Sequence, residues 1–392
     1  MFFRFNRTNI LFALIMLAPV ASHASGFNSS LDKGFTYKSS EGNFKFKAGA
    51  RLHLDVAAFN EDTTALDDDA IVRRARLSLG LEVFKNWRLS AQYDLSDEEE
   101  RYRSLWLRYK GFERTYITIG QFQEPFSMEE LTSSNNFVFM ERSLANVLNP
   151  GINVGVALQR WGKNWSATGG AFWETYIEDA HLFAAKEGYG ASGRFTFSPI
   201  KNKNTVLHLG TSLSYRAPDD GERIRIRTQP ESDVTEEYLI STGRMRNVDN
   251  QVIYGVEGAV TLGAVLLQGE YLFTKVLRYG EKKDETFDGG YLAASWLING
   301  KQRRYSSRSG VFGAVKPDKE GVWELAIRRS YLDLNSSTGT ITGGRQANTT
   351  LALNWYHSRN LRLMFNFIEI DTDEETNNDD PSILQFRVQL VY

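Results

Sequence analysis

The sequence predicts an all-β fold, a sixteen-stranded antiparallel transmembrane β-barrel. Three observations predict it. Apolar and polar residues alternate with period two over many long segments. The connections between these segments alternate between short and long. After the N-terminal leader, no apolar run approaches the roughly 20 residues that a membrane-spanning helix needs.

The alternation begins at Phe44. Phe44, Phe46, Ala48, Ala50, Leu52, Leu54, Val56 and Ala58 share one parity, and Lys45, Lys47, Gly49, Arg51, His53 and Asp55 share the other. Successive side chains of a strand point to opposite faces, so one face is apolar and the other charged. Ala75 to Val83 repeats the pattern against Arg74, Arg76, Ser78 and Glu82. Trp87 to Leu95, Leu207 to Tyr215, Val265 to Phe273, Trp323 to Tyr331, Leu351 to Trp355 and Leu361 to Phe367 follow it. The chain ends on Leu384, Phe386, Val388, Leu390 and Tyr392, a run that reads as the last barrel strand. It resembles the C-terminal signature of outer-membrane proteins, which implies that the barrel-insertion machinery reads it. Strands are expected to start near residues 43, 70, 87, 102, 115, 152, 164, 188, 204, 250, 264, 286, 321, 346, 360 and 382. A soluble sandwich would bury its apolar faces between two sheets. The long strands and dense charged parity favour a barrel with an apolar outside and a polar lumen.

Lys85-Asn86, the segment around Gly111, Gly162-Lys163, Leu262-Gly263 and Ser358-Arg359 read as tight turns on one side. The segments 60–69, 122–150, 174–187, 217–249 and 371–381 read as long polar loops on the other. One connection breaks the rule, because 299–320 falls on the short side and is long.

Residues 1–24 read as a secretory signal peptide, with Arg4 and Arg7, an apolar stretch from Ile10 to Ala21, and small residues at Ser22 and Ala24. Residues 25–392 are then a single barrel domain. Losing the leader removes two arginines and no acid, moving the formal charge from −2 to −4. That balance argues against a nucleic-acid partner. With no cysteine there is no disulfide or thiolate site. The five histidines are widely scattered, and no cofactor or metal is expected. Gly188 to Gly193 has a dinucleotide-loop spacing but lacks the strand before and the helix after. Asp371 to Glu375 lacks the glycine and the final glutamate of a calcium loop. Nothing marks a nucleophile, base and orienting group, so an enzyme is not expected. An outer-membrane enzyme or an adhesin stays as a competing class.

The stretch Gly120-Gln-Phe-Gln-Glu-Pro-Phe-Ser-Met-Glu-Glu-Leu-Thr-Ser-Ser134 resembles the third-loop signature of the phosphate-selective porins O and P. Phe139-Met140-Glu141-Arg142-Ser143-Leu144, Arg73 to Leu77, Leu353 to Tyr356 and Arg362 to Asn366 extend the resemblance over nearly the whole mature chain. It implies a homotrimer of sixteen-stranded barrels in the outer membrane of a Gram-negative bacterium, among lipid and lipopolysaccharide. It also implies inward-folded loops, here 122–150 as the constriction loop and 217–249 as a second, together with the long turn at 299–320.

The resemblance further implies that rows of arginines guide small anions. The matching positions are Arg51, Arg73, Arg74 and Arg142 and the run Arg223, Arg225 and Arg227, with Arg244 a looser match. Parity independently places Arg51, Arg74 and Arg76 on the lumen side. Arg73 has the outward parity and would reach the lumen only at a strand end. For each arginine the alternative is an ion pair with a lumen or loop carboxylate. Gln123 stands where the signature often carries lysine, which makes a general small-solute pore a competitor to a phosphate-selective one.

Overall fold

The period-two pattern becomes strands of up to 17 residues. The computed structural model describes residues 27–30, 34–96, 102–173, 188–218, 223–373 and 378–392. The leader 1–24 and the whole loop 174–187 lie outside the described residues. The strands are β1 (Phe27–Ser30), β2 (Gly34–Lys38), β3 (Phe44–Asn60), β4 (Asp69–Val83), β5 (Trp87–Asp94), β6 (Tyr102–Tyr109), β7 (Thr115–Gln123), β8 (Ile152–Trp161), β9 (Trp165–Trp173), β10 (Tyr189–Lys201) and β11 (Thr205–Ala217). They continue as β12 (Arg227–Thr228), β13 (Ile240–Ser241), β14 (Val248–Leu262), β15 (Val265–Arg278), β16 (Glu285–Leu297), β17 (Tyr305–Ser306), β18 (Val311–Phe312), β19 (Val322–Asn335), β20 (Thr342–Tyr356), β21 (Leu361–Asp373) and β22 (Ser382–Val391).

Sixteen of these, β3–β11, β14–β16 and β19–β22, form a closed antiparallel barrel in which neighbours in sequence pair in space. Closure joins the last strand to the first, with Leu390 opposite Leu52 and Phe386 opposite Val56. Ala50 and Tyr392 complete the seam by exchanging backbone hydrogen bonds of 2.9 and 2.7 Å. Each barrel strand starts within four residues of its expected start, β20 differing most. The hairpin β1–β2, which extends the sheet along β3, was not expected, because its strands are too short to show a period. β12–β13 and β17–β18 are two-residue ladders inside the long connections.

Burial is inverted relative to a water-soluble fold. Along β19, Trp323, Leu325 and Ile327 are 41%, 45% and 48% exposed, whereas Glu324, Arg328 and Ser330 are at most 1% exposed. The same holds around the ring, with Leu351, Leu353, Phe365, Leu384 and Phe386 outward. Among the described residues no helix is long and apolar enough to cross a membrane. The outward band belongs against hydrocarbon, where a closed barrel alone leaves no strand edge unpaired. Aromatic residues edge that band, among them Trp323 and Trp355, whose rings stack at 5.6 Å.

Both seam residues and the tight turns lie at one end of the barrel. The long connection from Ile298 to Gly321 also starts and ends there, yet it folds into the lumen. Arg194 of β10 donates to the carbonyls of Ser309 and Gly310, and Tyr305 hydrogen-bonds His208 of β11 at 2.7 Å.

Deleting Tyr392 removes an outward ring and the last hydrogen bonds of the seam. The expected outcome is a clear fall in heat-modifiable, folded barrel on gels of outer membranes. Unchanged yield would refute a role for the seam in assembly.

Candidate functional site

The lumen is shaped by two loops whose acids are held by arginines on the wall. The segment between β7 and β8 opens with Glu124, which pairs with the buried Arg216 of β11 and accepts from Asn153 at 2.8 Å. A single helical turn, α1 (Met128–Leu131), follows. Ser127 caps it, its Oγ accepting from the Glu130 N–H at 3.1 Å. Glu270 of β15 accepts from the N–H groups of Met128 and Glu129 at 3.0 and 2.6 Å. A carboxylate there satisfies donors that a helix start leaves open.

Across the lumen the loop meets β19–β22 and β4. Arg362 donates to the Phe137 carbonyl at 2.6 Å, and Asn354 to that of Val138 at 2.8 Å. Glu141 is the meeting point of three guanidiniums. Arg73 and Arg74 donate to it at 3.0–3.2 Å, and Arg387 of β22, itself bound to Asp55, closes the group. Burial alone would raise the Glu141 carboxyl. The charges of Arg73, Arg74 and Arg387 outweigh it and hold this loop group well below the ordinary 4.5.

The segment between β11 and β14 folds in beside it. Glu231 adopts φ +60°, a left-handed conformation that costs a non-glycine residue about 1 kcal/mol or more. Its carboxylate takes Arg328 at 2.6 Å, Thr350 at 2.9 Å, the Leu144 N–H at 3.2 Å and the Ser330 hydroxyl. Ile224, Ile226, Ile240 and Met245 pack with Phe126, Leu144 and Leu148 against Ile253, Leu272, Phe287 and Leu332 of the wall. Gly289 makes this fit possible, since a Cβ there would meet Ala145 at 3.1 Å and a backbone oxygen at 2.9 Å.

Apart from Arg51, the expected residues fall into two groups. Arg73, Arg74, Arg76 and Arg142 are paired with carboxylates. Arg76 binds Asp94, and Arg142 lies 3.4 Å from Glu130 and over the Phe137 ring. The outward parity expected of Arg73 is corrected by a β-bulge. His53 pairs with Arg74 and Leu54 with Val72, so Arg73 is the extra residue and its side chain reaches Glu141 with that of Arg74. Arg51 lies opposite Arg76 and donates to Ser134 at 2.8 Å.

The other group sits on the inward hairpin. Arg223, Arg225 and Arg227 alternate with the buried Ile224 and Ile226, and each is less buried than they are. Arg227 lies 3.7 Å from the Tyr238 ring centroid. Ile224 bridges Met245, which places Arg244 and Arg246 on the same less-buried side. Among the described residues neither Arg223 nor Arg244 forms an ion pair. Arg246 was not anticipated, nor was the tethering by Arg216, Arg328, Arg362 and Arg387. Parity shows that Arg328 and Arg387 face inward, but no local signal shows which distant loop they bind.

The loops do not fill the lumen evenly. Inward residues of β10–β22 are mostly buried beneath them, whereas Arg76, Ser78, Gln92, Ser104 and Arg108 on β4–β6 stay partly exposed. The remaining passage therefore runs along the β4–β6 wall. Gln123 spans the base of the third-loop segment, donating to the Glu130 carbonyl and carboxylate at 2.8 and 2.9 Å.

A family model described as phosphate-selective porin O and P matches residues 46–392. The chain is similar to Porin O of Pseudomonas aeruginosa, at 26% identity over 92% of this chain and 91% of that protein. In structure it is similar to OmpT of Vibrio cholerae (TM-score 0.59, 9% identity, 94% of this chain and 100% of that one). It is also similar to an anion-selective porin from Comamonas acidovorans (TM-score 0.57, 12% identity, 89% and 100%). At such identities the two structures show a shared fold.

Glu141→Gln should destabilise the folded barrel by about 3–5 kcal/mol, the range for breaking a buried pair, read from the urea midpoint. A depressed carboxyl stabilises above its unfolded value and loses this only as pH falls through its folded value. The difference between wild type and variant should therefore persist from pH 7 down to about pH 4.5 and shrink only in stronger acid. A difference that vanishes above pH 5 would contradict the clamp.

Proposed function

Because the chain belongs to the phosphate-selective porin O and P family, we propose that it is an outer-membrane channel for passive diffusion of small anions, phosphate or polyphosphate among them. The hairpin of 223–247 carries this reading. Its isoleucines seat it on the wall, so Arg223, Arg225 and Arg227 turn to the other side. In an extended segment, residues two apart recur about every 7 Å. An anion leaving one guanidinium then meets the next before losing all compensation. Rings and rows of arginine act as fixed charges in anion pores, and conduction needs binding strong enough for entry and weak enough for release. Arg51 and Arg244 extend this row in the proposal, and the neighbouring Arg142 narrows it.

The carboxylate pairs of Arg73, Arg74 and Arg76 favour a second reading, a general small-solute pore without phosphate selectivity. Gln123, neutral and bound to Glu130, supports the same alternative. The working assembly in this proposal is a homotrimer surrounded by lipid and lipopolysaccharide, reached through the barrel-insertion machinery. It transports and does not catalyse, a view supported by the fold shared with porins.

Replacing Arg223, Arg225 and Arg227 together with alanine tests the proposal in planar bilayers under a salt gradient. The reversal potential should move clearly towards the cation side. A wild-type value would show that the selectivity does not come from this hairpin, and absence of channel events from wild type would sink the porin reading.

A further inference from the structure

Six of the eight tryptophans lie on the outward face of the barrel; Trp106 and Trp161 have the inward parity. Both sit at the tight-turn end, and both carry guanidiniums. Arg88 and Arg108 lie 5.7 and 4.5 Å from the Trp106 ring. Arg108 lies 5.2 Å from the Tyr116 ring, and Arg308 lies 5.4 Å from that ring and 5.6 Å from Trp161. Three arginines and three rings thus alternate across β5, β6, β7 and β8 to the inward-folded turn.

The row is held in place but is not neutralised. Arg88 and Arg108 face each other directly across two strands. Arg108 donates to Thr118 at 2.9 Å and Arg308 to the Tyr116 hydroxyl at 2.9 Å. The Arg308 carbonyl accepts from Gln159 and Ser166 at 2.9 and 2.8 Å, which fixes the turn against this wall. Among the described residues, no carboxylate pairs with any of the three. The nearest in register, Glu82 opposite Arg88, binds Lys110 at 3.2 Å. Elsewhere in this lumen, clustered arginines converge on a glutamate, as at Glu141. Like charges placed together without a counter-charge are unfavourable unless something supplies one. Ring faces offset part of that cost through cation–π attraction and leave the guanidinium N–H edges free to donate.

We propose that Arg88, Arg108 and Arg308, braced by Trp106, Tyr116 and Trp161, form a second anion site at the tight-turn mouth of the lumen. Its ligand is an oxyanion with at least two negative charges, whose oxygens accept from more than one guanidinium. The proposal rests on the reading that anions traverse the lumen. The site borders the partly exposed β4–β6 side, where an anion from the hairpin arginines would next arrive.

The two inward tryptophans report on the site directly. Detergent-solubilised full-length protein is titrated with inorganic phosphate at constant ionic strength, and tryptophan emission is followed. Wild type should show a saturable change that is lost in the Trp106→Phe/Trp161→Phe variant. Arg308→Gln should raise the apparent Kd about tenfold, the loss of one charge-assisted hydrogen bond. The backbone contacts of the turn do not depend on that side chain, and heat-modifiable mobility checks folding. Arg88→Gln/Arg108→Gln/Arg308→Gln should abolish the response. A wild type without a saturable change, or a triple variant that responds like wild type, overturns the site. The variant lacking Arg223, Arg225 and Arg227 should keep the response. If it also keeps its reversal potential, the hairpin proposal fails while this site stands.

Discussion

The geometry of the lumen depends on the pairing of loop carboxylates with wall arginines. A loop that enters a barrel brings backbone and acids away from bulk water, and each needs a partner. Here the partners are guanidiniums on strands far away in sequence. Glu124 takes Arg216, Glu129 and Glu231 share Arg328, and Glu141 collects Arg73, Arg74 and Arg387. Such pairs recover little net stability, because the desolvation of both partners opposes their attraction. Their effect is positional. A bound glutamate can satisfy several donors only in one place, so these contacts fix where each loop sits to within a side chain's reach.

The same pairing explains which parts of the structure the sequence discloses. A strand between two solvents writes its orientation in every second residue, and so β19 and β22 could be located from Trp323 to Tyr331 and Leu384 to Tyr392 alone. The inward facing of Arg328 and Arg387 follows by the same rule. Their neutralisation does not, because Glu231 and Glu141 reach them across the lumen from sequence positions 97 and 246 residues away. Arg73 shows a second limit. Parity counts residues, and one bulge shifts the count by one. The hairpin β1–β2 shows a third, since strands of four and five residues are too short for a period to stand out.

Inside, the chain divides the lumen into a filled side and an open side. The apolar cluster around Ile224, Leu144 and Phe287 belongs to the filled side and gives the inward hairpin a greasy back. That back is what lets the hairpin's opposite edge be strongly basic. Without buried isoleucines the segment would have no reason to lie flat on the wall, and its arginines would be free to turn towards any acid. A period-two pattern thus acts twice in this protein, once in the wall between lipid and lumen and once in a loop between wall and passage.

In the channel proposed above, selectivity would arise from a minority of the charges. An arginine whose charge is met by a buried glutamate presents a weak field a few ångströms away, where the two charges largely cancel. An arginine met by rings or neutral acceptors, and by no carboxylate, keeps its net charge, because a quadrupole attracts a cation without neutralising it. Arg227 on Tyr238, and Arg108 between Trp106 and Tyr116, are of the second kind. Counting basic residues along the lumen would therefore overstate its attraction for anions. The relevant distinction under that proposal is the partner: carboxylate-bound arginines build the walls of the passage, and ring-bound arginines set the field within it. Because a passage between low-dielectric walls screens such charges less than open water does, a few of them would suffice in the proposed channel.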